Sequence, residues 1–115
     1  MRKIIVLELV GKNAISMQNG DKLYNAIYSD VRNGESIELD FNGINLFASP
    51  FFNASIGLLL KDVTIDALKK QLSFTNLNDI GRDLLNHVIG NALEYYKHSE
   101  GVTKAIDSGT TSGDK

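Results

Sequence analysis

The two histidines of the chain, His87 and His98, fall with Asn91 and Glu94 at spacings of four, three and four residues. On a helix that spacing lines all four up along one side. Imidazole and carboxylate groups in one stripe are a transition-metal donor set, with His87, Glu94 and His98 as its ligands. The stripe lacks the tight His-x3-His spacing of helical metal sites, and a polar stripe bordering an apolar face serves equally as a solvated edge. No metal or cofactor is therefore expected. A small-ligand binder or enzyme using His87, Asn91, Glu94 and His98 would also need a second element converging on them.

Other reactive groupings lead back to structure. Asp62 with Asp66, and Asp79 with Asp83, are four-residue pairs placed at predicted helix starts, where negative charge suits the helix dipole. Tyr24, Tyr28, Tyr95 and Tyr96 fall on or beside predicted core faces without interleaved basic residues, which favours packing over base stacking. There is no cysteine, and no dinucleotide fingerprint, Walker A, H-E-x-x-H or EF-hand pattern. Ser49 is different. A hydroxyl directly before Pro50 reads as a helix N-cap, and the same position suits a ligand contact or a regulatory modification.

Composition sets the frame for these residues. The 115 residues are 43% apolar and 23% charged, the balance of one compact domain. Twelve basic against fourteen acidic residues give a net charge of −2, too little positive field for a general nucleic-acid binder. The basic start Arg2-Lys3 precedes an apolar run broken by Glu8, which reads as a strand rather than a signal peptide. No stretch approaches the ~20 apolar residues of a membrane span. A cytoplasmic protein is expected.

Hydrophobic periodicity supplies the elements. A first strand is predicted from Lys3 to Val10, with a short returning strand over Ala14–Met17. A helix capped by Asn19 or Asp21 carries Leu23, Tyr24, Ile27, Tyr28 and Val31 up to Asn33-Gly34. Ser36–Phe41 alternates as a strand. A mostly buried helix from Pro50 to Lys61 presents Asn53, Gly57 and Lys61 opposite its apolar arc. A short helix over Ile65–Lys70 leads to a strand over Gln71–Thr75, and Asn78 caps a long helix to about Lys97. The polar stretch from Ser99 reads as a loose tail. The fold expected is α/β, a small mixed sheet of about four strands covered mainly by helices on one face, with a domain over 1–98 and a tail over 99–115.

The run I-E-L-D-F-N-G-I-N-L-F-A-S-P-F-F-N-A-S-I-G-L-L from Ile37 to Leu59, with L-S-F-T-N-L from Leu72 and the helix Ile80–Tyr96, resembles the bacterial STAS-like domain family of unknown function. The resemblance spans about residues 4 to 97. That family is similar in turn to STAS domains of anti-sigma-factor antagonists. There a D-S-[ST]-G loop is phosphorylated by a kinase of the GHKL ATPase superfamily. Ser49 falls on the first serine of that motif, Pro50 on its phosphorylatable position, and Ala48 and Phe51 on its Asp and Gly. The resemblance implies a non-catalytic regulatory module that binds a protein partner, a GHKL-type ATPase; Ser49, the hydroxyl beside the position that Pro50 occupies, is the candidate phosphorylation site. The candidate contact residues are Asn42, Asn45, Ser49, Asn53, Gly57 and Lys61. The alternatives are the ligand binder or enzyme on the His87, Glu94 and His98 stripe, and a mobile-element-encoded inhibitor of a host protein.

Overall fold

The apolar run that opens the chain divides into two elements. The computed structural model describes residues 2–109, with side chains to residue 96. Arg2–Ile5 form strand β1, and Val6–Val10 form a short helix, α1, in place of one strand reaching Val10. Strand β3, Ile37–Asp40, is only four residues long and pairs β1 residue for residue, so nothing remains for Val6 to pair with. Val6 and Val10, one turn apart, are buried together instead.

Helix α2, Met17–Arg32, begins earlier than Asn19 or Asp21 would allow as caps. Ser16 is the cap, its hydroxyl accepting from the Asn19 amide at 3.1 Å. The Asn19-Gly20-Asp21 cluster therefore lies inside the helix. Gly20 is there because α2 crosses the next helix at this point: a Cβ on Gly20 would lie 2.5 Å from the Phe51 carbonyl oxygen and 2.8 Å from Ala54 Cβ. Leu23, Ile27 and Val31 continue the buried face. The predicted returning strand shrinks to β2, Asn13–Ala14, which pairs parallel to β4, Leu46–Phe47, and not back onto β1.

Strand β5, Leu72–Thr75, completes a three-stranded sheet ordered β1-β3-β5, parallel throughout. Arg2 lies opposite Ile37 and Ile37 opposite Leu72. Among the described residues five strands thus divide between two small parallel sheets. The Ile4, Leu39 and Phe74 row faces the core, while Lys3, Glu38 and Ser73, and Ile5, Asp40 and Thr75, share the other, more polar face. One face is covered, as the Ser36–Phe41 alternation predicts.

The helix expected from Pro50 is present but irregular. Ser49–Phe52 form α3, and Asn53–Gly57 continue it as a π-helical turn. The buried Ser55 hydroxyl donates to the Phe51 carbonyl at 2.8 Å, giving that carbonyl a partner where the widened turn disturbs the usual ladder. Phe51, Phe52, Ile56 and Leu59 are fully buried. With Phe41 they occupy the centre of the core, each burial contributing roughly 1.5–3 kcal/mol. Thr64 caps α4, Ile65–Gln71, accepting from the Ala67 amide at 3.1 Å. Asp62 lies in the turn before that cap, outside the first helical turn assigned to it.

Asn78 caps the last helix as expected, accepting from the Gly81 amide at 2.7 Å. This helix, α5, runs over Asp79–Gly109, continuing past the predicted end near Lys97. The expected tail thus starts within helical backbone, while the side chains from 97 and all of residues 110–115 lie outside the described residues. Leu85 and Val88 dock α5 on the body.

Candidate functional site

The loop between β3 and α3 is fixed at its base by Asp40. One Asp40 carboxylate oxygen accepts from the Asn42 amide at 2.9 Å and from the Asn76 carboxamide at 2.8 Å; the other lies 3.6 Å from Lys3 Nζ. The Asn76 hydrogen bond, then the Asn42 amide, hold the Asp40 carboxyl below the usual carboxylate range, with Lys3 adding to them. Asn76 itself has φ of 56°, a left-handed conformation that asparagine tolerates better than most residues. The Asp in I-E-L-D-F thus ties the start of one loop to the strand end beside it.

At the far end of the loop the β2–β4 pairing extends one residue, the Ala48 amide donating to the Ala14 carbonyl at 2.9 Å. Ala48 is consequently the N-cap of α3, with extended backbone, and Ser49 is the first helical residue. This corrects the expectation that Ser49 caps the helix. Its half-buried hydroxyl makes no hydrogen bond with any described residue. Pro50 stands second, where the missing N–H still costs nothing.

The six candidate contact residues do not form one surface. Asn42 and Asn45 are exposed on the loop, Ser49 and the exposed Asn53 follow on the helix, and these four remain contiguous in sequence with the loop. Gly57 is buried, contrary to its predicted exposed place. A Cβ there would lie 3.3 Å from Val88 Cγ1, so Gly57 is where α5 crosses the π turn. Lys61 is exposed but lines a separate groove of about 410 Å3 with Asp62, Ile65, Leu93 and Tyr96.

Exposed apolar side chains lie on the segments flanking Ser49. Leu46 is 56% exposed, Met17 61% and Ile15 40%, and Pro50 is exposed as well. Met17 and Pro50 line a groove of about 400 Å3 between α2 and the α3–π helix. Periodicity does not single these residues out, because Ile15 and Met17 share the short strand predicted over Ala14–Met17 and Leu46 lies between predicted elements. The signal that could have found them is the lack of any buried face for Ile15 and Met17 to belong to.

On α5 the predicted stripe is partly visible: His87, Asn91 and Glu94 are exposed, and the His98 side chain lies outside the described residues. Asn91 joins a cleft of about 190 Å3 with Asn53, Gly57, Ala92, Tyr95 and Tyr96. No group of three His, Asp or Glu side chains among the described residues is placed to hold a metal ion. Tyr24 and Tyr28 are half-buried with ring centroids 5.1 Å apart, and Arg32 donates to the Tyr28 oxygen at 2.6 Å. Burial raises the Tyr24 and Tyr96 hydroxyls above the ordinary tyrosine value. Tyr95 differs from the packing expectation in being largely exposed. Among the described residues no helix is long and apolar enough to cross a membrane.

Comparison with curated proteins gives no match, and comparison with solved structures gives none. The model of one family, described as the STAS-like domain of unknown function (DUF4325), matches residues 19–82, from the first turn of α2 to the first turn of α5. The matched span holds β3, the Asp40 anchor, Ser49, the π turn and β5, and it covers more than half of the chain, which therefore belongs to this STAS-like family.

Proposed function

We propose that this domain is a non-catalytic regulatory module that docks on a protein partner through the Asn42–Ser49 loop and the helix start behind it. The observation that carries the reading is the cluster of exposed apolar side chains, Ile15, Met17, Leu46 and Pro50, on the segments flanking Ser49. Isolated exposed apolar residues are ordinary, but four on segments joined by the β2–β4 pairing favour a contact surface. Ser49 adds a hydroxyl that folding does not use. Membership of a STAS-like family supports the same surface, and the likeness to antagonist STAS domains favours a GHKL-type ATPase as the partner.

A photo-crosslinking residue placed at Leu46, compared with one at exposed Glu35 before β3, tests this directly in cells. An adduct with an ATPase of that class from position 46 and none from position 35 is expected. Equal adducts from both positions, or none from position 46, would count against docking at this surface. An adduct with a protein of another class would retain the surface and replace the proposed partner.

A further inference from the structure

The groove between α2 and the α3–π helix is lined by Met17, Asp21, Pro50, Asn53, Ala54 and Leu58. Its walls are mostly hydrocarbon, and one carboxylate, Asp21, stands among them. Folding gives that carboxylate no evident task. Ser16 caps α2 in its place, and Asp21 is the fifth helical residue, past the first turn where a carboxylate gains most from the helix dipole. Among the described residues no hydrogen bond or ion pair engages it. On the side facing α3 the helix carries Gly20, whose lack of a side chain lets α2 approach the Phe51 carbonyl.

We propose that this groove receives one long side chain of the docking partner, an aliphatic stem ending in a guanidinium or ammonium group. The stem lies along Met17, Pro50 and Leu58, and the cationic head reaches Asp21. The proposal rests on the docking reading above and names the anchor that reading lacks. A purely apolar anchor would strip water from the Asp21 carboxylate without replacing it, and an anionic one would meet a like charge. Arginine and lysine combine an apolar stem with a charged tip, and arginine is prominent among interface anchors.

The test uses n-butylguanidinium as the probe, titrated into 15N-labelled protein, with 1-pentanol and hexanoate as neutral and anionic chains. Saturable shifts of the Met17, Asp21, Asn53 and Ala54 amides are expected. The guanidinium probe should bind about two- to fivefold more tightly than pentanol, the range for a partly exposed ion pair, and hexanoate should bind most weakly. Asp21→Asn should erase the preference for the cation while the spectrum stays folded. Hexanoate binding as well as the guanidinium, an unchanged preference in Asp21→Asn, or no saturable shift at tens of millimolar, where fragments of this size bind, would overturn the proposal. Those results would leave crosslinking at Leu46 unaffected, whereas a failed crosslink with intact groove binding would reject the docking reading and, with it, the partner as the source of the bound side chain.

Discussion

Replacing Gly20 with alanine tests the helix crossing that shapes the groove. In an ordinary exposed helix the change stabilises by about 1 kcal/mol, because alanine loses less backbone freedom than glycine. Here the new methyl would lie 2.5 Å from the Phe51 carbonyl oxygen and 2.8 Å from Ala54 Cβ, and neither atom belongs to a flexible side chain. Helix α2 and the α3–π helix must move apart, a cost near the top of the ~1–3 kcal/mol range for overpacking. Net destabilisation of about 2 kcal/mol follows, equivalent to a fall in Tm of roughly 8 °C or more for a domain of this size. Gly90→Ala is the internal control: a Cβ on Gly90 meets nothing within 4 Å, so the propensity gain should appear undiminished. Thermal and urea melts of both variants beside the parent chain measure the difference. A Gly20→Ala protein as stable as Gly90→Ala would refute the argument that the close approach, and not helix geometry, selects glycine at position 20.

Ser49→Ala should change stability by less than ~0.5 kcal/mol, since Ser49 caps nothing, while Ser16→Ala and Thr64→Ala should each cost ~1 kcal/mol in the same urea melts. Ser55→Ala removes the buried hydroxyl that the Phe51 carbonyl accepts, and a loss of about 1–2 kcal/mol is expected, read by the same method. The Asp40 carboxyl is held below its unfolded value, so its stabilisation is present in full above about pH 4 and disappears as pH falls through the folded pKa. Urea midpoints measured from pH 6 to pH 3 should therefore fall more steeply for the parent chain than for Asp40→Asn, and parallel curves would contradict the assignment.

Elements with a strong period and a single competing use were legible from the residues alone. The Ser36–Phe41 alternation gave β3, the Leu23 to Val31 spacing gave the body of α2, and Asn78 was recognisable as a cap. Ends and joins were not. Val6–Val10 suits a strand as well as a helix, and only the four-residue length of β3 decides between them. Asn19-Gly20-Asp21 has turn chemistry, but a crossing helix can require glycine just as firmly as a turn does, and that helix is distant in sequence. The same holds for Gly57, placed on an outer face by the wheel of one helix and buried by the arrival of another. The helix start at Ser49 was legible because proline after serine marks one. Leu46, Met17 and Asp21 were not, because being left uncovered is a property of the whole assembly.

The pairing Arg2 with Ile37, and Ile37 with Leu72, sets every strand contact of the main sheet thirty-five residues apart in the chain. No hairpin exists there to start from. A chain growing from its N-terminus completes β1 long before anything can hold it, and each of the two joins must close a loop of equal length before its pairing returns any energy. Helix α2, the one long element inside the first loop, is then the natural early scaffold, and the sheet is assembled late. Such non-local wiring makes the domain slower to fold than a helical bundle of its size.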